Sequence, residues 1–467
     1  MMRTYEIIDS YRIKNLDVKT LKFEFPLSYF NKSFPGVEIQ VVANLVQKYD
    51  ANQTDILPSK PKLIAFIQGG PGFPCSPPAS NLSYINEFIS RGYQMVFMDQ
   101  RGTGLSTPLN SRSLSKLVPK NDMSEDEHTK ALLDYVLNFT GASIVEDMDF
   151  IRKELIGNNK WSIVGQSFGG FCSFIYLSKY PGSIKESLIT GGIPPVNHGP
   201  DDVYTATYQR CKERNIQYYE KYPKDVERVR VIMKYLKHNK VTLPDSGTLS
   251  VERFQQIGLN FGGKGGTDSI HTIVNTFYND LKLFGEPGYN ILNTIQGQLG
   301  FDTNILYALF QESIYCDGNN PTINTSNWSA ERLRYLPEHS QFVFDEKTTD
   351  PVFFTGEMVY KSMYDDYVEL RPFKKLADAL HSNTNWPKLY DAKVLGSLEF
   401  KDVPIVGAMY FKDLYVDFNL GHKVITETFQ GKNFRPYVSS QYFHSGARDD
   451  PVGIIGTLFE LLESEID

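Results

Sequence analysis

A single serine stands between an apolar stretch and a glycine-rich stretch, within the sequence GQSFG at residues 165–169. Residues 161–164 (WSIV) are apolar apart from Ser162, as in a buried strand, and residues 168–179 are typical of a helix that ends before Pro181. A G-x-S-x-G sequence at such a junction predicts a sharp turn that exposes the serine at the edge of a sheet. In the alternative interpretation the glycines only permit close packing and the serine caps the helix. We favour the first interpretation, which makes Ser167 a candidate nucleophile.

The serine motif belongs to a regular alternation of strands and helices. Strands that are apolar along their whole length and alternate with helices are typical of a parallel sheet covered on both faces. We therefore predict an α/β protein with a mostly parallel central sheet, preceded by two stretches with β character. These two stretches are residues 21–25 and 37–46; the later strands are residues 62–67, 93–98, 161–164 and 184–190, and the helices between them are residues 80–91, 143–156 and 168–179.

The alternation stops at about residue 195 and resumes near residue 402. Between these points the sequence has mainly helical patterns and polar loops. Strand patterns then return at residues 403–410 and 436–443, before a final amphipathic helix. We predict a catalytic domain formed by residues 1–195 and 402–467, with a mainly helical cap domain, residues 196–401, inserted after the sixth predicted strand.

Charge and composition exclude several classes of function. The net charge is −7 without a basic patch, so we expect neither nucleic acid nor a membrane as partner. No apolar run approaches the ~20 residues of a membrane helix, and the N-terminus lacks the apolar core of a signal peptide. The four cysteines form no Cys-x-x-Cys pair, which favours reduced thiols in a cytoplasmic protein. No metal-binding sequence such as His-Glu-x-x-His occurs, and we expect no metal and no cofactor. The oligomeric state stays open.

A nucleophilic serine needs a histidine as base and an acid to orient that histidine. In chains with this motif the acid and then the histidine follow the serine. His444 lies on a loop before the last helix, from which it can reach Ser167, whereas His422 lies within a helix and is the weaker candidate. Asp413 comes just beyond the first strand after the interruption, and Asp417 one helical turn later. Either aspartate could instead cap the following helix.

A glycine-rich loop follows the strand at residues 62–67. Its sequence, QGGPG at residues 68–72, lets the backbone approach a reacting carbonyl closely. We expect the backbone N–H groups of Gly70 and Phe168 to form an oxyanion hole, with Gly69 beside the substrate. Glycine-rich loops also bind phosphate, but the Gly-Lys-Ser/Thr that a P-loop requires does not follow.

Three motifs taken together resemble those of the proline iminopeptidases (prolyl aminopeptidases). They are QGGPG at residues 68–72, DQRGTGLS at residues 99–106 and GQSFGG at residues 165–170, in that order. The resemblance covers the catalytic domain and implies the α/β-hydrolase fold. The long cap is similar to that of fungal and other eukaryotic-type members rather than to the compact bacterial ones.

Two details of these motifs concern the loops around the serine. Gln68 departs from the family, because bacterial members usually have histidine there; glutamine can still brace the loop. In the family the Asp-Gln-Arg-Gly turn supports the active-site loops, so the resemblance implies structural roles for Asp99 and Arg101.

The C-terminal part continues the resemblance. The sequence VPIVGAMYFKD at residues 403–413 aligns with the family's strand that ends in the catalytic aspartate, which favours Asp413 over Asp417. The sequence FHSGAR at residues 443–448 resembles the segment that carries the catalytic histidine, His444.

The resemblance also implies how a substrate amine is held. Family members remove an N-terminal proline, and a pair of cap glutamates near the serine receives its free ammonium group. Glu312 (in FQESIY) and Glu357 (in FTGEMV) fit, because each stands alone among apolar and aromatic residues. Alternatively, each is a solvated or helix-starting glutamate.

The resemblance therefore implies a serine aminopeptidase that releases N-terminal proline from short peptides through a prolyl-enzyme intermediate. One alternative is a capped esterase or amidase that does not require a free amine. Another is a catalytically silent protein used for binding, which should have lost a member of the triad or the glycine-rich loop. Epoxide hydrolases and dehalogenases are disfavoured, because their nucleophile is an aspartate where this chain has Ser167.

Overall fold

A computed structural model describes residues 5–31, 33–75, 78 and 82–465. Within these residues nine strands form one sheet, and they are β1 (Tyr5–Ile13), β2 (Leu16–Pro26), β3 (Glu38–Lys48), β4 (Leu63–Ile67), β5 (Gln94–Met98), β6 (Trp161–Gln166), β7 (Ile184–Thr190), β8 (Ile405–Tyr410) and β9 (Phe434–Ser439). Their order across the sheet is β1-β2-β3-β5-β4-β6-β7-β8-β9. Strands β4 to β9 pair in parallel, whereas β1, β2, β3 and β5 pair antiparallel in that order.

Helices connect the strands and fill the long interval between β7 and β8. Those before β7 are α1 (Ser83–Ile89), α2 (Ser111–Leu117), α3 (Glu125–Val136), α4 (Gly141–Ile156) and α5 (Phe168–Lys179). Residues 191–404, here called the insert, contain α6 (Pro200–Lys221), α7 (Asp225–His238), α8 (Val251–Gln255), α9 (Gly266–Phe284), α10 (Tyr289–Gln296), α11 (Ile305–Phe310), α12 (Ser329–Arg334), α13 (Met363–Asp366), α14 (Lys374–Ser382) and α15 (Ala392–Ser397). After β8 come α16 (Phe418–Lys423), α17 (Gly446–Asp449) and α18 (Pro451–Glu463). Among the described helices, none has both the length and the apolar character needed to cross a membrane.

The parallel part of the sheet is covered on both faces. Side chains alternate between the two faces of a strand, and adjacent residues of β6 accordingly join different cores. Ile163 packs in the same cluster as Ile175 of α5. Val164 packs in the other cluster, with Phe88 of α1 and Ile455 of α18. The mostly parallel sheet between two layers of helices confirms the predicted fold class.

The insert follows the strand that the sequence predicts at residues 184–190 and counts as the sixth. In the structure this strand is the seventh, β7, because β1 was not predicted. Most side chains of β1 are exposed, so the strand has no buried apolar alternation by which a sequence could reveal it. The extended conformation of β1 is stabilised instead by antiparallel pairing with β2, which runs from Tyr5 opposite Phe23 to Ile13 opposite Leu16.

Candidate active site

Ser167 occupies a strained turn between β6 and α5. Its backbone has φ 55° and ψ −125°, a conformation that costs about 1–3 kcal/mol for a residue with a side chain. Two glycines allow the turn to pack: a Cβ on Gly165 would lie 2.4 Å from the carbonyl oxygen of Gly169, and one on Gly169 would lie 1.9 Å from that of Ile67. The turn holds the serine at the carboxyl end of the parallel strands, where the predicted elbow requires it.

His444 lies between Ser167 and Asp413 and is within hydrogen-bond distance of both. Its Nε2 is 2.9 Å from the serine Oγ, and its Nδ1 is 2.8 Å from Oδ2 of the aspartate. The other carboxylate oxygen of Asp413 accepts hydrogen bonds from the backbone N–H groups of Tyr415 (2.8 Å) and Val416 (3.1 Å). These bonds fix the orientation of a carboxylate that is only 1% exposed. The three residues predicted as a triad are therefore brought together.

The two weaker candidates take part in other contacts. Asp417 caps α16 by accepting a hydrogen bond from the N–H of Leu420, and it forms an ion pair with Arg210 at 3.0 Å. His422 lies on α16 and stacks on Phe418. Helix capping, the alternative considered for both aspartates, thus applies to Asp417.

The electrostatic surroundings of His444 favour its protonated form. Burial alone would lower the pKa of His444, but the negative charge of Asp413 and its hydrogen bond outweigh burial, and the pKa is raised. Glu357 adds to the increase, whereas Arg448 opposes it. An imidazole stabilised in this way can take a proton from the serine hydroxyl and keep it while a bond forms.

The two expected oxyanion donors are free. Among the described residues, neither the N–H of Gly70 nor that of Phe168 has a hydrogen-bond acceptor. Phe168 is the first residue of α5, where a backbone N–H has no partner within the helix and the helix dipole favours negative charge. A Cβ on Gly69 would lie 3.1 Å from Cβ of Ser167, so a larger residue there would crowd the nucleophile.

The glycine-rich loop is held by polar contacts from its neighbours. The side chain of Gln68 donates to the carbonyl of Pro74 (2.9 Å), and the side chain of Gln100 donates to the carbonyl of Gln68 (2.9 Å). Asp99 accepts hydrogen bonds from the N–H groups of Cys75 (2.9 Å) and Leu105 (2.8 Å). The expectations that glutamine braces this loop and that Asp99 supports it are confirmed.

A cavity of about 280 Å³ opens over Ser167. Its walls include the predicted residues Gly69, Gly70, His444 and Glu357. They also include Tyr307, Tyr415 and Arg448, none of which was predicted as a site residue. No cluster of metal-ligating side chains occurs in the described part of the chain.

Glu357 brings a carboxylate from the insert into this cavity. Its Oε1 accepts a 2.6 Å hydrogen bond from the hydroxyl of Tyr307. Burial raises the pKa of Glu357 to about 7, although the charge of His444 and the bond from Tyr307 act in the opposite direction. A carboxylate poised near neutral pH would ionise readily beside a cationic group.

Glu312 is not among the residues that line this cavity. It is 1% exposed, and its carboxyl accepts from the N–H of Ala330 (3.3 Å) at the start of α12 and lies 3.3 Å from Nδ1 of His381. Trp328, at the N-cap position of α12, offers no side-chain acceptor, and Glu312 takes over that capping role. Burial raises the pKa of Glu312 well above its usual range, because a buried site disfavours the charged form of the carboxyl.

Comparisons with known proteins agree with the fold and the motifs. Residues 62–233 match the family described as alpha/beta hydrolase fold, and together with the sheet they define the chain as an α/β-hydrolase. A proline iminopeptidase of Aspergillus aculeatus is 34% identical over 86% of this chain and 85% of its own length. A proline iminopeptidase of Aeromonas sobria is 34% identical over 85% of this chain and 87% of its own. Among solved structures, esterase E22 is similar with a TM-score of 0.47 and 10% identity, over 96% of this chain and 100% of that one. Because of its 34% identity to each of the two proline iminopeptidases over most of both chains, the chain belongs to the proline iminopeptidase family.

Proposed function

We propose that this chain is a serine aminopeptidase that releases N-terminal proline from short peptides, with Ser167, His444 and Asp413 as its catalytic triad. The observation that carries the proposal is the presence of Glu357 in the same cavity as Ser167. Similarity to two proline iminopeptidases over most of the chain supports the substrate class.

The reaction follows from the contacts of the triad. Nε2 of His444 accepts the proton of Ser167 as Oγ attacks the prolyl carbonyl, and the N–H groups of Gly70 and Phe168 bind the resulting oxyanion. Collapse of the tetrahedral intermediate breaks the C–N bond, and His444 donates its proton to the departing amine. A water molecule, deprotonated by His444, then attacks the prolyl-enzyme ester and releases proline.

Glu357 accounts for the requirement of a free amine. In its ionised form it can accept hydrogen bonds from the ammonium group of an N-terminal proline, and the bound cation in turn lowers the pKa of the carboxyl. Tyr307 holds one carboxylate oxygen in place at 2.6 Å. An acylated N-terminus carries no positive charge, so its binding would leave a partly buried carboxylate without a cationic partner.

The insert would act as a cap over this cavity. We propose a catalytic domain of residues 1–195 and 402–467 and a cap of residues 196–401, which contributes Tyr307 and Glu357. Because the cap covers the cavity, the site would admit only short peptides or the free ends of longer chains. We also propose a cytoplasmic enzyme, because all four cysteines are buried and unpaired, as suits a reducing compartment.

The test uses the p-nitroanilides of proline, leucine and N-acetylproline, with the wild type and Ser167→Ala side by side. The proposal expects fast release of p-nitroaniline from the free proline substrate alone, and none with the variant. Equal cleavage of the acetylated substrate would point to an esterase or amidase without an amine requirement. If no substrate is cleaved, the aminopeptidase proposal fails, and labelling of Ser167 by a fluorophosphonate would separate another hydrolase from a silent binding protein.

A further inference from the structure

Arg448 contributes a positive charge to the wall of the active-site cavity. It lies on α17, four residues after His444, and its side chain is exposed. Among the described residues, no carboxylate pairs with its guanidinium group and no acceptor forms a hydrogen bond with it. The group is therefore available to a ligand in the cavity.

His444 determines which part of a substrate Arg448 faces. In the proposed reaction Nε2 of His444 passes a proton to the departing amine, so the leaving part of the peptide lies beside this histidine. Arg448 follows on the same short segment and reaches the same cavity, so it borders that leaving part. Glu357 is proposed to hold the ammonium group at the other end of the substrate.

We propose that Arg448 binds a carboxylate on the leaving part of the peptide, so that the enzyme favours peptides whose C-terminus lies one or two residues beyond the scissile bond. This inference rests on the proposed function. Among the described residues of the cavity wall, Glu357 and Arg448 are the charged side chains besides the catalytic histidine. Their opposite charges match the two charged ends of a dipeptide. One residue spans at most ~3.6 Å, so a dipeptide keeps its carboxylate close to the serine.

The chemistry of arginine suits this task. Its planar guanidinium group forms two parallel hydrogen bonds with one carboxylate, which fixes direction as well as distance. The carboxylate can come from the C-terminus or from an acidic side chain in the residue after proline. Lysine carries the same charge but cannot form the paired bonds, so Arg448→Lys separates the paired geometry from charge alone.

The test compares three substrates: Pro-Gly, which has a C-terminal carboxylate; Pro-Gly-amide, which has none; and Pro-Glu-amide, which has one in the side chain after proline. Release of proline is followed for the wild type, Arg448→Ala and Arg448→Lys. Arg112→Ala is the matched control, because Arg112 is an exposed arginine on α2 outside the cavity and its loss changes the net charge equally. The readout is the ratio of kcat/KM values within each protein, which a general loss of activity does not change.

We expect the wild type to prefer Pro-Gly over Pro-Gly-amide by about 10-fold or more, the usual effect of a hydrogen bond between charged groups. The ratio should fall close to one in Arg448→Ala, take an intermediate value in Arg448→Lys and keep the wild-type value in Arg112→Ala. A preference for Pro-Glu-amide alone would overturn the proposed preference for a nearby C-terminus, because it would show that the site binds acidic side chains instead. Equal kcat/KM for all three substrates in the wild type, or a ratio unchanged in Arg448→Ala, would overturn the inference and leave the aminopeptidase proposal standing. If none of the substrates releases proline, the proposed function fails and the inference fails with it.

Discussion

The hydroxyl of Tyr307 donates a 2.6 Å hydrogen bond to Oε1 of Glu357 in the wall of the cavity that contains Ser167. This bond stabilises the ionised carboxyl, yet burial is the larger effect and raises the pKa of Glu357 to about 7. Glu357 in the free protein therefore gains its charge as the pH rises through about 7. Binding of an ammonium group should strengthen over the same interval.

We predict that Glu357→Gln lowers kcat/KM for proline p-nitroanilide by about 10-fold to 100-fold, because a charge-assisted hydrogen bond to the ammonium group is lost. The N-acetylated substrate has no ammonium group, so the ratio between the two substrates should collapse. Steady-state kinetics on both substrates measure this ratio. An unchanged preference for the free amine would show that a group other than Glu357 binds the ammonium group of the substrate.

Glu312→Gln is the matched comparison for this prediction. Burial raises the pKa of Glu312 and so disfavours its charged form, and the amide retains an acceptor for the N–H of Ala330. We expect the preference for the free amine to stay close to that of the wild type. If instead Glu312→Gln and Glu357→Gln reduce it equally, both glutamates contact the substrate, as the family resemblance implies.

The second prediction concerns the acid of the triad and distinguishes the role of Asp413 from that of Asp417. In Asp413→Asn the amide would leave His444 without its charged partner and in the wrong tautomer, so kcat should fall by about 10⁴-fold. Asp417→Asn should keep most of the activity, because Asp417 caps α16 and pairs with Arg210 instead. Single-turnover measurements with proline p-nitroanilide test both variants. Equal losses in the two variants would contradict the assignment of Asp413.

The sequence predicts the parallel part of the sheet well and its antiparallel edge poorly. The parallel strands β4 and β8 are buried at every residue, so each is a short, continuous apolar run that a sequence displays directly. The strand β1 is exposed along most of its length, and it is ordered mainly by pairing with β2, twenty or fewer residues away in the chain. Backbone pairing of an exposed strand requires no alternation of apolar and polar residues, so the sequence of β1 shows no periodic pattern.

The same contrast applies to the site. Ser167, Asp413 and His444 follow from motif and chain order, because each lies just beyond a strand of the predicted sheet. Glu312 and Glu357 could not be separated, since both stand among apolar and aromatic residues in the sequence. Their surroundings depend on contacts between distant segments: Glu357 meets a hydroxyl fifty residues earlier in the chain, and Glu312 meets the start of α12.

A third prediction concerns the buried ion pair beneath the active-site loops. Arg101 forms two hydrogen bonds with Asp147, at 2.7 and 2.6 Å, and also donates to the carbonyls of Leu27 (2.7 Å) and Asn138 (2.8 Å). Arg101→Met would leave the fully buried Asp147 without its partner, and we expect the free energy of unfolding to fall by about 3–5 kcal/mol. Urea denaturation measures the change. Adding Asp147→Leu should restore part of the stability, and a single variant as stable as the wild type would contradict a structural role for Arg101.

The last prediction uses the opposite charges that Glu357 and Arg448 present to His444. Only neutral His444 can act as a base, so labelling of Ser167 by a fluorophosphonate, which has neither amine nor carboxylate, should rise with pH through a midpoint above 6.5, because the pKa of His444 is raised. Glu357→Gln removes a charge that raises this pKa, so the midpoint should move to lower pH, and the coupled titration of two groups should become that of one. Arg448→Ala removes a charge that lowers the pKa, so its midpoint should move to higher pH. Shifts in the same direction for both variants would contradict the presence of these two opposite charges beside the histidine.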